Sequence, residues 1–93
     1  MAKIILQGFI VVPDPDLTVV KKALLTHTKL TLAEAGCLIF KVTADENHPN
    51  KFSVYEEFIN QAAFDHHQAR VKTSTWGDVT KNVTRHYQIS TGT

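Results

Sequence analysis

Alternating hydrophobic positions predict a strand over residues 4–12 in which both faces are apolar. One face carries Ile4, Leu6, Ile10 and Val12, and the other carries Ile5, Phe9 and Val11. A strand that is apolar on both faces must be covered on both faces. The first strand therefore predicts two covering layers.

A helix is predicted after the first strand, beginning in a run of proline and aspartate. Asp14 suits the N-cap, Pro15 the first helical position, and Asp16 the positive end of the helix. Positions that face inward then recur at helical spacing, and they are Leu17, Val20, Leu24, His27 and Thr31. Gly36 is predicted to end this helix.

Two more strands are predicted over residues 37–43 and 51–58, joined by the polar turn segment 44–50. In the earlier strand, alternation places Leu38, Phe40 and Val42 on one face and Cys37 and Ile39 on the other. In the later strand, one face carries Phe52, Val54, Glu56 and Phe58. Strands joined by a short loop pair antiparallel.

The last third of the chain is predicted to hold a helix over about residues 59–71 and a strand over residues 85–90. Between them, Trp76, Val79 and Val83 are spaced as on one side of a short helix. The resulting order is the split β-α-β pattern of an α+β, ferredoxin-like domain with an antiparallel sheet. Helices cover only one face of such a sheet, so a second copy of the chain is the simplest cover for the other, and we expect a homodimer.

Composition limits the classes of function. The 93 residues predict a single domain over residues 1–93. Ten basic residues against nine acidic ones give no electrostatic signature of nucleic acid or of a membrane surface. The apolar N-terminal run is too short to cross a bilayer. The single cysteine, Cys37, rules out an internal disulfide and is typical of the reducing cytoplasm, where we expect this protein.

A carboxylate and an imidazole are the candidate acid–base groups. Glu56 lies on an apolar strand face, where burial raises a carboxyl pKa. The alternative for Glu56 is a structural ion pair with lysine or arginine. His67 follows Phe64 by three residues on the inward side of its predicted helix, where it could act with Glu56 as a general base. A hydrogen-bonded core histidine is the alternative for His67, and a structural role is favoured for His27.

Several aromatic side chains could contact a flat substrate, although core packing is their usual role. The candidates are Trp76, Phe64, Phe40 and Tyr55, and His27 is added to them as a fifth candidate for substrate contact. No metal site is predicted, because His66 and His67 point in different directions on a helix and no HExxH motif accompanies them. The sequence also lacks a P-loop and a GxGxxG motif, so neither a nucleotide nor a flavin is expected.

The middle of the chain, residues 32–69, resembles the central signature of the antibiotic biosynthesis monooxygenase family. The matching residues are Glu34, Gly36, Cys37, Phe52, Glu56, Phe58, Ala63, Phe64 and His67. Ala35 stands where the family often has proline, and Phe58 where it often has tryptophan.

The resemblance implies a dimeric α+β barrel with a pocket between the sheet and the helices of each subunit. It also implies that dioxygen oxidises a quinol or another polyphenol without any cofactor, since an electron-rich phenolate can itself reduce dioxygen. In that chemistry His67 would be the base, Glu56 would orient or protonate the substrate, and aromatic residues would hold its ring.

Three alternatives remain open at the level of sequence. A haem-binding or haem-degrading relative would use an asparagine on the first strand, where this chain has Gln7 and Gly8, although Trp76 and His67 are compatible with it. A relative that isomerises a phosphorylated sugar derivative would need a basic anchor, and no cluster of lysine or arginine is evident in the sequence. A dimeric ligand-binding module without activity is also compatible with this fold.

Overall fold

The first strand, β1 (Lys3–Val11), lies inside a four-stranded antiparallel sheet. A computed structural model describes residues 2–92. The other strands are β2 (Cys37–Ala44), β3 (Lys51–Phe58) and β4 (Thr84–Gly92), and the strand order is β2-β3-β1-β4. β1 pairs with β3 on one side and with β4 on the other, so it is an inner strand whose two edges are both hydrogen-bonded.

The helices lie between the strands in the order that the pattern predicts. They are α1 (Leu17–Leu32), α2 (Gln61–Lys72) and the short α3 (Thr75–Val79). A 3₁₀ turn at Asp14–Asp16 precedes α1. This arrangement confirms the α+β, ferredoxin-like fold. None of the helices formed by residues 2–92 has the length and apolar character needed to cross a membrane.

The core lies between the helices and one face of the sheet. Its buried members are Ile4, Leu6, Ile10, Val12, Val20, Phe52, Val54, Phe58, Phe64 and Val83. The face predicted for β1 and the face predicted for β3 are therefore both confirmed. Complete burial of one such side chain contributes about 1.5–3 kcal/mol, so this cluster is the main source of stability.

The face predicted for Leu38 is wrong because β2 contains a bulge. The pairing with β3 shifts between Cys37 and Ile39, and Cys37 stands opposite Phe58 and packs against the core. Leu38 is left 51% exposed. A bulge adds one residue to a strand and so reverses the alternation on one side of it.

Both predicted ends of α1 need correction. Asp14 does not cap α1, because its carboxylate instead accepts a hydrogen bond from the amide of Asn50 at 2.7 Å. The helix ends at Leu32, before Gly36. The role of Gly36 is close packing, since a Cβ atom there would lie 2.3 Å from the Cβ atom of Ala63.

The opposite face of the sheet carries no helix and mixes apolar with polar groups. The ring of Phe9 stacks on that of His86, with 4.5 Å between ring centroids, and the Lys51 ammonium lies 4.4 Å from the Phe9 ring centroid. On the same face, Glu57 accepts hydrogen bonds from Lys3 and Tyr55.

Candidate active site

A cavity of about 410 Å³ lies between the sheet and the helices. Every strand except β2, and every helix, contributes to it. Its lining consists of Leu6, His27, Glu56, His67, Gln68, Val71, Lys72, Trp76, Gly77, Lys81, Arg85 and Tyr87. The acid–base candidates are buried at its bottom, whereas the basic residues are exposed at its mouth.

His67 is held at the bottom of the cavity by a carboxylate. Its Nδ1 atom lies 2.7 Å from Oε1 of Glu34, which follows α1. The other oxygen of Glu34 accepts a hydrogen bond from Nε of Arg70 at 2.7 Å, and Arg70 also donates to the hydroxyl of Thr31 at 3.1 Å. His67 and Arg70 are three residues apart on α2, so one turn of this helix presents both to Glu34.

This contact determines which nitrogen of His67 is basic. Burial opposes ionisation of Glu34, but the hydrogen bonds from Arg70 and His67 outweigh it and lower its pKa. An ionised carboxylate only accepts hydrogen bonds, so Nδ1 of His67 carries the proton. Nε2 then carries the lone pair, and it lies 3.7 Å from Oε1 of Glu56. Burial lowers the pKa of His67, although Glu34 opposes this effect, and the imidazole stays neutral.

Glu56 reaches the same place from β3. Its carboxyl is buried, and Oε1 has no hydrogen-bond partner among residues 2–92. Burial, together with the negative charge of Glu34, raises the pKa of Glu56 to about 7. No lysine or arginine in the described part of the chain forms an ion pair with Glu56. The structural ion pair, which was the alternative for this residue, is therefore not formed.

His27 and Trp76 form one wall of the cavity. Their rings are stacked at 4.6 Å between centroids and are nearly parallel, with 6° between their planes. His27 is buried, and its Nδ1 atom has no hydrogen-bond partner in the described chain. Burial, with a smaller effect from the neighbouring His67, lowers the pKa of His27 to about 4, so its imidazole is neutral.

The structure brings four of the seven residues predicted from the sequence to this cavity, namely Glu56, His67, His27 and Trp76. The other three do not line it. Phe40 lies behind His27, with 5.3 Å between their rings, and Phe64 packs on Phe58 in the core. Tyr55 lies on the opposite face of the sheet.

Sequence reasoning did not single out Tyr87 as a site residue. Burial, reinforced by the charge of Glu56, raises the pKa of Tyr87 to about 12, so its hydroxyl remains a hydrogen-bond donor. The signal available in the sequence was that Tyr87 and Ile89 are two residues apart, and so share one face of the predicted last strand. Glu34 belonged to the recognised motif, but no local pattern indicated that it contacts His67.

The basic residues at the mouth were also missed. Lys72, Lys81 and Arg85 are too far apart in the sequence to form a run, yet all three line the cavity. No cluster of lysine or arginine is evident in the sequence, because only folding brings these residues of α2, the α3–β4 connection and β4 to one cavity. Residues 2–92 contain no group of three or more His, Cys, Asp or Glu that could hold a metal ion.

Solved structures of other proteins share this fold. A candidate antibiotic biosynthesis monooxygenase from Nitrosomonas europaea is 15% identical, with a TM-score of 0.78, over 98% of this chain and 88% of that one. Another, from Deinococcus radiodurans, is 25% identical with a TM-score of 0.77, over 97% and 90% of the two chains. A third, from Bacteroides thetaiotaomicron, is 19% identical with a TM-score of 0.75, over 99% and 88%.

Sequence comparison gives the family directly. No curated protein matches the chain. Residues 4–76 match the family described as antibiotic biosynthesis monooxygenase. This match includes β3, α2, all of β1 except Lys3, and the residues Glu34, Glu56, His67 and Trp76. The chain belongs to the antibiotic biosynthesis monooxygenase family.

Proposed function

We propose that this chain is a cofactor-independent monooxygenase that oxidises a quinol or another polyphenol with dioxygen. The observation that carries the proposal is the presence of two buried polar atoms without partners in one cavity, Oε1 of Glu56 and Nδ1 of His27. A buried polar group without a hydrogen bond is costly, and a bound substrate with hydroxyl groups would supply the missing partners.

The first step is removal of a proton from the substrate by Nε2 of His67. The neutral imidazole can accept this proton, and Glu34 on the far side of the ring stabilises the imidazolium that forms. Arg70 keeps Glu34 ionised and in position. Near neutral pH a fraction of Glu56 is protonated, so its carboxyl can donate a hydrogen bond to a substrate oxygen.

The deprotonated ring then supplies the electrons. Dioxygen is reduced by the phenolate, one oxygen atom enters the ring product, and the other leaves as water. With anthrone as substrate, one anthrone and one dioxygen give one anthraquinone and one water. The substrate itself therefore provides both electrons needed to reduce the second oxygen atom to water. The protein contributes deprotonation, orientation and exclusion of bulk water.

The aromatic wall is suited to orient such a ring. Trp76 and His27 present stacked flat surfaces, and the hydroxyl of Tyr87 supplies a donor from the sheet. Phe40 acts indirectly by packing edge-on against His27, and Phe64 packs on Phe58 in the core. We do not assign substrate contact to Tyr55, whose hydroxyl bonds to Glu57 on the other face of the sheet.

We also propose that the protein is a homodimer in which the uncovered sheet faces of two copies pack together. This face includes Ile5 and Phe9, which are only partly buried within one chain, and Val11, which is exposed. The cytoplasmic location stays a prediction. Light scattering coupled to gel filtration tests the dimer, and a monomeric mass at micromolar concentration would contradict it.

The test of the activity is oxygen uptake with anthrone or a reduced naphthoquinone, in the presence of a metal chelator and without added cofactor. We expect consumption by the wild-type protein and a loss of about 10²–10⁴-fold in rate for His67→Ala. His66→Ala is the matched control, because His66 is the exposed neighbour on the same helix. Equal rates for the wild type and His67→Ala would refute the role of His67.

Three further measurements on the same protein preparation distinguish the monooxygenase from the alternative functions. Haem binding would appear as a shift of the Soret band during a haem titration. An isomerase would turn over its substrate in the absence of dioxygen. A ligand-binding module without activity would bind the quinol and consume no oxygen.

A further inference from the structure

We propose that the natural substrate carries an anionic group, a carboxylate or a phosphate, which Lys72, Lys81 and Arg85 bind at the mouth of the cavity. The inference rests on the proposed function for the orientation of the ring at the bottom. It adds a substrate class that an apolar quinol pocket alone does not imply.

The three basic groups line the same cavity but come from different elements. Lys72 ends α2, Lys81 lies in the connection before β4, and Arg85 lies on β4. All three are exposed, and none forms an ion pair within residues 2–92. Unpaired positive charges around an opening attract anions and raise their local concentration.

Arg85 is held in place before any ligand arrives. Its guanidinium donates to the hydroxyl of Thr80 at 2.9 Å and to the carbonyl oxygens of Thr80 and Val83, both at 3.4 Å. These bonds use only part of its five N–H donors. Arg85 also interacts with the Tyr87 hydroxyl, and a guanidinium that is already held in place loses little side-chain entropy when it binds an anion.

The charge of the lining is strongly unequal. Glu56 is the only carboxylate among the residues of this lining, against three basic side chains. Glu56 is buried, whereas the basic groups are exposed. A substrate with a hydroxylated ring at one end and an acidic group at the other matches this division, with the ring on Trp76 and the anion in the mouth.

A binding experiment can use Trp76 as its reporter, because it is the only tryptophan of the chain. Its indole N–H gives one NMR cross-peak, which is followed while naphthoate, naphthyl phosphate or neutral naphthalenemethanol is added. We expect at least one of the anions to bind about tenfold more tightly than the alcohol, a difference of about 1.4 kcal/mol. The two anions distinguish a carboxylate from a phosphate. Added salt should reduce the preference.

The double variant Lys72→Gln/Lys81→Gln should lose most of the preference for the anion over the alcohol. Lys21→Gln/Lys22→Gln is the matched control, because it removes the same charge from exposed positions on α1. Equal affinity of wild type for the alcohol and both anions, or a preference that survives in Lys72→Gln/Lys81→Gln, would overturn the inference. Arg85 is left intact because it also holds the chain around Thr80.

Failure of this inference can be told apart from failure of the proposed function. The NMR titration measures binding without turnover, so a preference for anions stands even if no quinol is oxidised. Conversely, in oxygen-uptake assays a carboxylated naphthoquinol should have a higher kcat/KM than a neutral naphthoquinol. Equal values of kcat/KM would refute the anionic class and leave the monooxygenase proposal intact.

Discussion

Nδ1 of His67 lies 2.7 Å from Oε1 of Glu34, while Nε2 of the same ring faces Glu56. The carboxylate of Glu34 thus keeps the proton on Nδ1 and leaves Nε2, which faces the cavity, as the basic nitrogen. The two carboxyl groups differ because their surroundings differ. Glu34 is paired with Arg70 and has a lowered pKa, whereas burial without a cationic partner raises the pKa of Glu56.

Glu34→Gln tests whether this contact fixes the tautomer. The amide group can donate to Nδ1 and so move the proton to Nε2, which removes the base. We expect a fall of about 10–100-fold in kcat for quinol oxidation with little change in KM. Nitrogen NMR of the imidazole should show the proton on Nε2. The exposed Glu46→Gln is the control, and an unchanged tautomer in Glu34→Gln would contradict the assignment.

Glu56→Gln should change how stability depends on pH. With a pKa of about 7, folded Glu56 keeps a proton that the unfolded chain, with a value near 4.5, has already lost. The contribution of Glu56 to stability is therefore lost as pH rises from about 4.5 to 7, by up to about 3 kcal/mol. Urea unfolding at several pH values should show that the free energy of unfolding of Glu56→Gln increases relative to that of the wild type as pH rises through this window. A difference that does not vary with pH would contradict the raised pKa.

His27→Phe should reduce the loss of stability in acid. The pKa of folded His27 is about 4 against an ordinary value of 6.5, so the unfolded chain takes up a proton first as pH falls between these values. Phenylalanine can keep the stack on Trp76 and removes this titration. We expect its stability relative to the wild type to rise by up to about 3 kcal/mol as pH falls through that window. His66→Gln, at an exposed position, should show no such trend.

Gly36→Ala should destabilise the fold through Ala63. A Cβ atom at position 36 would lie 2.3 Å from the Cβ atom of Ala63, so β2 and α2 would have to move apart. We expect a loss of about 1–3 kcal/mol in the free energy of unfolding. The double variant Gly36→Ala/Ala63→Gly removes the clash and should be more stable than Gly36→Ala, although glycine in a helix costs about 1 kcal/mol. A double variant less stable than Gly36→Ala would show that this contact is not the cause.

The hydrophobic pattern was sufficient for the fold because alternation and helical spacing are local properties. The pattern placed Glu56 on the core face of β3 and His67 on the inner side of α2. Because α2 covers that face of the sheet, the two side chains lie close together. The bulge that turns Leu38 outward could not be predicted, because it depends on how β2 pairs with β3.

The rest of the site depends on contacts between distant segments. Glu34 reaches His67 across 33 residues of sequence, and Arg70 reaches Glu34 across 36. The basic mouth likewise combines positions from three elements. No periodicity within one segment carries this information, so the sequence indicated the two candidate acid–base groups but not the groups around them.

In the proposed reaction His67 deprotonates a ring, which then reacts directly with dioxygen. The most direct measurement is mass spectrometry of anthraquinone formed from anthrone under heavy-oxygen-labelled dioxygen, with the wild type, His66→Ala and His67→Ala compared. We expect one labelled atom per product molecule, rapid formation with the first two proteins, and formation at the protein-free rate with His67→Ala. Label derived from water, or wild-type formation no faster than without protein, would contradict the account.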